Sequence, residues 1–278
     1  MEWFDALILG IVQGLAEYLP ISSSGHLEIF RQILDVPLQG AEALDFDITL
    51  HLATVLSTIV VLWHEFVPLC RSFFTFRRDA ETIYVLKILL SCIPIAIVGL
   101  LFKETVEQFF EGSLLTVGIC LLVTAFLLTF AYYFRRHEDT VKPHGASYAS
   151  QGHDITWLDS FIIGCAQAVA VLPGLSRSGT TIATGLVLGD KRDKIAQFSF
   201  FMVIIPILGE SLLGIKDLFS ADTVGSSSIG TTPLIIGFLA SFIVGCIACK
   251  WMINLVKRGK LVWFALYCAV MGIICLIW

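Results

Sequence analysis

Long apolar stretches alternate with short polar ones along most of the chain. A helix needs about 20 apolar residues to cross a bilayer, and six stretches meet that requirement: residues 46–65, 84–102, 113–134, 196–215, 232–251 and 261–278. Two further apolar regions, 3–34 and 157–189, are each interrupted midway by a cluster of Pro, Gly and Ser. Because Pro ends a helix while Ser and Gly favour caps and turns, each region is predicted to form two shorter helices around a polar break.

The two interrupted regions are similar to each other. When the chain is shifted by 154 residues, positions 3–25 align with 157–179, and nine of these 23 positions are identical. Shared hydrophobicity does not explain the polar and aromatic matches, which include Trp3 with Trp157, Asp5 with Asp159, Gln13 with Gln167, Ser22 with Ser176 and Gly25 with Gly179. We therefore predict an internal duplication within a single membrane domain, with repeat one at 1–135, a linker at 136–156 and repeat two at 157–278.

Composition agrees with this pattern. Hydrophobic residues make up 56% of the chain and charged residues only 15%, and the mean hydropathy is +0.84. Soluble globular domains carry roughly 25% charged residues. The net charge of −5 offers no basic surface, so nucleic-acid binding is not expected. The sequence predicts an all-α integral membrane protein.

The odd number of spans in each repeat predicts an inverted topology. If each broken region enters and leaves the membrane on the same side, each repeat adds three full spans, and the second repeat is inverted relative to the first. Fourteen of the 18 Lys and Arg residues then fall on one side, three fall on the other, and Arg177 lies in the second break. The positive-inside rule makes the first side cytoplasmic, and the first break then opens to the outer face. If each broken region instead crosses the membrane once as a full span, successive loops still alternate between the two sides of the membrane. The Lys and Arg residues are then divided less cleanly between those sides.

The first break begins with two side chains that are costly in a membrane. Gln13 and Glu17 are four residues apart and therefore share one helix face. A carboxylate at the centre of a bilayer costs about 2.5–3.5 kcal/mol, which makes Glu17 a functional candidate. The oxygen atoms of these two residues are of the kind that Mg²⁺ or Ca²⁺ prefers.

The rest of the first break predicts an anion-binding helix start. Ser22, Ser23 and Ser24 are followed by Gly25 and His26. The serines are expected to cap the second short helix, whose free N–H groups and partial positive charge attract anions. His26 lies in the first turn, where the helix dipole disfavours imidazolium, so we expect a neutral ring that can pass a proton.

The second break carries Ser176, Arg177, Ser178, Gly179 and Thr180 at the equivalent place. Arg177 stands where the first copy has a serine, and its planar guanidinium suits two phosphate oxygens at once. If the inverted copies meet, one pocket holds a carboxylate, hydroxyls, an imidazole, a guanidinium and two helix N-termini. This combination favours hydrolysis of a phosphate ester or diphosphate. The alternatives are that the serines only form turns and that Arg177 is a structural counter-ion.

Several other polar residues have simpler interpretations. Asp45, Asp47 and His51 lie near the start of the third predicted helix. Solvated helix caps are expected there, and an extension of the polar pocket by these residues is the alternative. Three histidines are expected to be solvated in the charged linker region: His137, His144 and His153.

The motifs Gln13-Gly-Leu-Ala-Glu17, Pro20-Ile-Ser22-Ser-Ser-Gly-His26 and Pro173-Gly-Leu-Ser176-Arg177-Ser-Gly179 closely resemble those of the undecaprenyl-diphosphate phosphatases, the bacitracin-resistance family of bacterial membrane enzymes. The resemblance covers the whole chain in length, duplication and motif order. This sequence has Gln at the first acidic position of the family motif, which leaves one carboxylate fewer as a metal ligand.

The resemblance implies hydrolysis of a lipid diphosphate and recycling of the lipid carrier of cell-wall synthesis in the bacterial inner membrane. It assigns catalysis to Glu17, Ser23, His26 and Arg177, and it implies a divalent metal. Ser23 is preferred as nucleophile because a serine beside a neutral histidine follows the activated-nucleophile pattern, while His26 or water remains open. An inverted-repeat transporter or lipid flippase is the competing function. The polyprenyl tail of the substrate is expected among the lipid-facing helices and membrane lipids. A homodimer is left open.

Overall fold

The computed structural model describes residues 1–36, 38, 40–76, 78–102, 114–141, 152–220 and 229–278. Within these residues all regular elements are helices, apart from one isolated bridge between His153 and Asp190. In chain order the helices are α1 Trp3–Ala16, α2 Ser23–Ile33, α3 Gly40–Val61, α4 Trp63–Phe74, α5 Ala80–Leu101, α6 Leu114–Val141, α7 Trp157–Val169, α8 Arg177–Leu188, α9 Arg192–Ser220, α10 Thr231–Lys257 and α11 Val262–Ile277.

Four segments of the described chain are long and apolar enough to cross a membrane. They are Glu42–Val61, Ala80–Leu101, Leu114–Arg135 and Thr231–Lys257. The protein is therefore an all-α, multi-pass membrane protein, as the hydropathy pattern predicted. The first of these segments ends four residues earlier than predicted, because Leu62 leaves the helical conformation and the separate helix α4 begins at Trp63.

The two remaining predicted spans correspond to α9 and α11. Helix α9 has 29 residues, and α11 has 16. A helix rises 1.5 Å per residue, so α11 is about 24 Å long, somewhat shorter than the hydrocarbon core of a typical bilayer.

Each interrupted region forms a pair of short helices. Helices α1 and α2 have 14 and 11 residues, and α7 and α8 have 13 and 12. None of these four helices reaches the length that crossing a bilayer requires. A serine caps the second helix of each pair, and its hydroxyl accepts a hydrogen bond from the main chain three residues later. The polar breaks therefore follow directly from local sequence.

Packing partners are matched between the two halves of the chain. Helix α1 packs on α10, and α7, its counterpart in the second half, packs on α5. Both contacts are so close that a Cβ atom added at Gly10 would lie 2.5 Å from the Gly237 carbonyl oxygen, and one added at Gly164 would lie 2.4 Å from the Ser91 carbonyl oxygen. Gly10 and Gly164 coincide when the chain is shifted by 154 residues, and at both positions the absence of a side chain permits a close approach between helices.

The outer surface of this helical assembly is apolar and its interior contains polar groups. Large side chains such as Phe126, Ile243 and Trp263 are more than half exposed. In contrast, Gln13 and His26 are buried. This distribution is what a lipid-facing exterior around a polar internal site requires.

Candidate active site

The two polar breaks are in direct contact with each other. The Ser178 hydroxyl donates a hydrogen bond to the Leu19 carbonyl oxygen at 3.3 Å. A Cβ atom added at Gly25 would lie 3.0 Å from the Gly174 Cα atom, and one added at Gly179 would lie 3.1 Å from the Pro20 Cβ atom. Small residues at both breaks therefore allow the N-terminal ends of α2 and α8 to lie side by side.

Glu17 is the centre of a hydrogen-bonded group in the first break. Its side chain is only 8% exposed. Its Oε2 atom accepts hydrogen bonds from Ser23 Oγ at 2.7 Å and from Gln13 Nε2 at 3.0 Å. The His51 Nε2 atom lies 3.7 Å from the same oxygen. Glu17 can therefore accept the proton of the Ser23 hydroxyl without any rearrangement.

His51 corrects an expectation from the sequence. A solvated helix cap was expected, but the side chain is only 13% exposed and faces Glu17. Asp47 also departs from that expectation, because it lies inside α3 and forms an ion pair with Arg31 on α2. Helix α3 carries His51 past the break, and sequence distance alone does not reveal which side of α3 faces α1.

Both helix starts are capped by a serine side chain. Ser22 Oγ accepts from the Gly25 N–H at 3.3 Å, and Ser176 Oγ accepts from the Gly179 N–H at 3.1 Å. Ser22 has φ +72°, a left-handed conformation that is uncommon for a residue with a side chain. Ser22 is the N-cap of α2, so this conformation occurs directly where the break ends and the helix begins.

The remaining predicted phosphate-binding residues lie beside these caps. Ser24 Oγ is 3.4 Å from Ser22 Oγ, and Ser178 Oγ is 3.4 Å from Ser176 Oγ. Thr180 is in the first turn of α8, and its buried hydroxyl oxygen has no hydrogen-bond partner in the described chain. Hydroxyl groups thus accompany both helix N-termini.

His26 is held away from Ser23. Its Nδ1 atom lies 2.8 Å from the Ser22 carbonyl oxygen, and its Nε2 atom lies 2.7 Å from the Tyr267 hydroxyl. The two rings are stacked with centroids 5.6 Å apart. Because a carbonyl oxygen only accepts hydrogen bonds, Nδ1 carries a proton, and in the neutral ring Nε2 accepts from Tyr267. Both ring nitrogens are therefore engaged, and neither is bonded to Ser23.

Arg177 and Glu17 line the same pocket. Tyr18, Thr58 and Ser178 contribute to its wall, and Arg177 is near enough to Glu17 for an electrostatic interaction. The Arg177 Nη1 atom is buried and has no hydrogen-bond partner within the described residues. Since a buried guanidinium group that lacks acceptors is costly, this atom is suited to receive an anionic ligand.

Tyr18 anchors the pocket wall, and the sequence analysis did not identify its role. Its hydroxyl lies 2.6 Å from the Thr54 carbonyl oxygen, 2.5 Å from Ser57 Oγ and 2.8 Å from Thr58 Oγ1. The spacing of Thr54, Ser57 and Thr58 puts three small polar residues on one face of an apolar helix, and that pattern was the available signal. For Tyr267 the sequence contains no comparable signal.

Gln13 and Glu17 have the donor types that a hard divalent cation needs. The Gln13 Oε1 atom is buried and has no hydrogen-bond partner in the described chain. An orphaned amide oxygen next to a carboxylate is compatible with Mg²⁺ or Ca²⁺. Mg²⁺ commonly uses one or two carboxylates and completes its coordination with water and substrate phosphate oxygens.

The remaining histidines of the sequence analysis lie far from this pocket in the chain. His153 is exposed by half and precedes α7. The His137 side chain and His144 lie outside the described residues.

Comparison with known proteins gives one consistent result. A family model described as bacitracin resistance protein BacA matches residues 6–274. A relative from Parabacteroides distasonis is 54% identical over 274 residues, covering 99% of this chain and 97% of the relative. Relatives from Bacteroides fragilis and Halothermothrix orenii are 53% and 34% identical over 277 residues, each covering 100% of this chain and 98% of the relative. All three relatives are named undecaprenyl-diphosphatase.

Proposed function

Since this chain belongs to the bacitracin resistance protein BacA family, we propose that it hydrolyses undecaprenyl diphosphate to undecaprenyl phosphate and inorganic phosphate. This reaction recycles the lipid carrier of cell-wall synthesis and confers bacitracin resistance. The observation that carries the proposal is the junction of the two breaks, where the carboxylate of Glu17 holds the Ser23 hydroxyl in a pocket that Arg177 also lines.

The diphosphate binds where the two breaks meet. Arg177 provides a planar pair of donors for the phosphate oxygens, and the helix starts capped by Ser22 and Ser176 provide N–H groups and partial positive charge. The hydroxyl groups of Ser24, Ser178 and Thr180 supply further hydrogen bonds. The polyprenyl tail extends among the apolar, lipid-facing side chains.

Ser23 is the nucleophile that the hydrogen bonds favour. Its Oγ atom attacks the terminal phosphorus as the P–O–P bond breaks, and Glu17 Oε2 takes the hydroxyl proton and passes it to the departing undecaprenyl phosphate, which restores the carboxylate. Glu17 then takes a proton from a water molecule that attacks the phosphoserine, the Ser23 Oγ–P bond breaks to release inorganic phosphate, and Glu17 returns that proton to Ser23 Oγ. Catalysis comes mainly from positioning and charge neutralisation, as is general for phosphoryl transfer.

We propose for His26 a different role from the proton relay expected from the sequence. The sequence placed it as a proton relay beside Ser23, but its hydrogen bonds run to the Ser22 carbonyl oxygen and the Tyr267 hydroxyl. We assign His26 to positioning the first turn of α2, where the nucleophile lies. Attack by His26 itself would first require release of the Tyr267 hydroxyl from Nε2.

A divalent cation, Mg²⁺ or Ca²⁺, is part of this proposal. Glu17 and Gln13 would hold it, and when bound it would neutralise phosphate charge. The buried and unpartnered oxygen of Gln13 supports this assignment.

Topology and location also belong to the proposal. The matched packing of α1 on α10 and of α7 on α5 supports an inverted repeat with six full spans and two re-entrant helix pairs. In this arrangement the protein lies in the bacterial inner membrane with the site open to the outer face. It acts without nucleic acid, and a homodimer remains a prediction.

Phosphate release by purified protein in detergent tests the function, because a transporter or flippase alone releases none. Brief reaction with substrate labelled in the terminal phosphate, followed by denaturation, tests the nucleophile. An acid-stable phosphoserine that is absent from Ser23→Ala is expected, whereas an acid-labile phosphohistidine lost in His26→Ala would refute the assignment. Thr129→Val is a control, because the Thr129 hydroxyl bonds to a carbonyl of its own helix.

A further inference from the structure

A second polar cluster lies where the segment before α7 meets the C-terminal end of α8. Leu188 is the last residue of α8, and Gly189 is its C-cap. The His153 N–H donates to the Gly189 carbonyl oxygen at 3.1 Å, and the Lys191 N–H donates to the His153 carbonyl oxygen at 3.0 Å. The main chain at His153 is therefore bonded through both of its polar groups to the turn that ends α8.

The His153 ring lies among oxygen atoms that accept hydrogen bonds. Its Nδ1 atom is 3.1 Å from the Asp154 carbonyl oxygen, and its Nε2 atom is 3.1 Å from the Leu188 carbonyl oxygen. A carbonyl oxygen only accepts, so each ring nitrogen needs a proton to make its bond. A neutral imidazole has one N–H group and would leave one of the two bonds unmade. The ring that makes both is the imidazolium cation.

Two carboxylates lie beside the same ring. The His153 Nδ1 atom is 3.5 Å from Asp190 Oδ1 and 3.7 Å from Asp159 Oδ2. The Asp190 side chain is completely buried, and neither carboxylate oxygen has a hydrogen-bond partner within the described residues. Burial raises the pKa of the Asp190 carboxyl to about 7. A positive charge on His153 therefore offsets part of the cost of this buried carboxylate.

The end of α8 favours the same charge. The last carbonyl groups of a helix have no partner within it and carry a partial negative charge. The Leu188 carbonyl, which the His153 ring contacts, is one of them. The hydrogen bond to the Asp154 carbonyl oxygen raises the pKa of His153 above its ordinary value, and the bond to the Leu188 carbonyl oxygen adds to this rise against the opposing effect of desolvation.

Four other cations face the cluster from the elements packed around it: Lys87 on α5, Arg135 on α6, Lys191 in the turn and Lys194 on α9. Their charges oppose protonation of the ring. Lys87 Nζ donates to the Ile155 carbonyl oxygen at 2.6 Å, and Arg135 Nη2 donates to the Asp190 carbonyl oxygen at 3.5 Å. Lys191 Nζ donates to Asp154 Oδ1 at 3.0 Å. None of these three bonds uses an oxygen atom that the His153 ring contacts, so both ring nitrogens keep their acceptors.

We propose that His153 is a pH-sensitive clasp, which in its imidazolium form holds the C-terminal end of α8 against the segment before α7. Loss of the proton breaks one of the two carbonyl hydrogen bonds and removes the attraction to Asp159 and Asp190. The clasp lies at the end of α8 opposite Arg177.

The direction of the pH dependence follows from the two groups that titrate. A histidine whose pKa is raised by folding stabilises the protein below its ordinary pKa of about 6.5, and this contribution is lost as the pH rises through the raised value. The raised pKa of Asp190 acts in the same direction, because burial disfavours the carboxylate that forms as the pH rises. The clasp is therefore closed in mildly acidic solution and opens in alkaline solution.

The protonation state is tested on the full chain in detergent, labelled with nitrogen-15 at histidine. The chain has six histidines, and the His153 signals are those lost in His153→Gln. At pH 6.5, where an ordinary histidine is about half protonated, most of His153 should still be imidazolium. Asp190→Asn should lower the midpoint of the His153 titration, whereas Asp154→Asn, which removes an adjacent carboxylate that is 74% exposed, should not. A His153 ring that is mostly neutral at pH 6.5 would overturn the proposal.

Thermal unfolding at several pH values tests the clasp itself. At pH 6 the Tm of the wild-type protein should exceed that of His153→Gln by about 2–4 °C, and the difference should disappear by pH 9. Hydrogen exchange at the Lys191 amide, corrected for the intrinsic effect of pH, should accelerate over the same range in the wild-type protein and not in His153→Gln. Asp154→Asn should keep the wild-type pH dependence. A Tm difference that is the same at pH 6 and pH 9 would show that His153 acts only through packing and would refute the clasp.

Discussion

Replacement of Glu17 by glutamine tests the proposed proton path most directly. The substitution keeps the size and shape of the side chain, so an amide oxygen can still accept the Ser23 hydrogen bond that Glu17 receives at 2.7 Å. An amide cannot take up the proton of that hydroxyl. Glu17→Gln therefore removes general-base catalysis while it preserves the geometry around the nucleophile.

The expected loss is large and falls mainly on kcat. A positioned general base contributes about 10²–10⁴-fold to the rate, which corresponds to about 2.7–5.4 kcal/mol in the activation free energy. Binding of the diphosphate should be affected less, because Arg177 and the two helix starts remain in place. Glu17→Gln also removes a negative charge that repels the anionic diphosphate, so the substitution should not raise KM.

Steady-state phosphate release in detergent, measured over a range of Mg²⁺ concentrations, is the appropriate assay. The lost kcat should not return at saturating Mg²⁺, because the base is absent whether or not a cation is bound. Glu28→Gln is the matched control, since Glu28 is on α2 but bonds to Gln32 rather than to the pocket. Full recovery with excess Mg²⁺ would refute the general-base role and leave Glu17 only as a cation ligand. Near-normal kcat without added Mg²⁺ would refute both roles.

Three further predictions concern other parts of the site and the fold. Arg177→Lys should lower kcat/KM by about tenfold to a hundredfold, because lysine lacks the planar pair of donors. Arg258→Lys is the control, and an unchanged kcat/KM in Arg177→Lys would contradict phosphate binding by Arg177. Tyr267→Phe should lower the free energy of unfolding by about 1–3 kcal/mol, because the buried His26 Nε2 loses its partner, and denaturant titration measures this change. Gly164→Ala should lower the Tm, since its Cβ atom would lie 2.4 Å from a carbonyl oxygen, whereas Gly99→Ala, with nothing within 4 Å, should not.

The sequence was sufficient to predict the apolar helices and the two polar breaks within residues 3–34 and 157–189. A hydropathy pattern predicts apolar helices because each of them must satisfy its own main-chain hydrogen bonds in lipid. The caps at Ser22 and Ser176 depend on residues no more than three positions away. The motifs around Glu17 and Arg177 were equally local, and the family resemblance that they carried agrees with the family match over residues 6–274. Helix boundaries moved, as at Leu62, and the separate helix α4 was not predicted.

The partners of the site residues could not be predicted in this way. Ser23 was expected to lie beside His26 as an activated nucleophile, yet its hydroxyl bonds to Glu17. His26 bonds to Tyr267, which is 241 positions distant. His51 was expected to be solvated and instead faces Glu17. These contacts depend on which sides of separate helices face one another.

The sequence by itself thus determined that this protein is a helical membrane protein with two polar breaks, because lipid solvation and helix capping act on neighbouring residues. Tertiary structure alone decided that the breaks touch, with Ser178 bonded to the Leu19 carbonyl oxygen. It also decided that Asp159 and Asp190 converge on His153. Close packing of small residues between helices produces these juxtapositions, and neither hydropathy nor motif spacing specifies them.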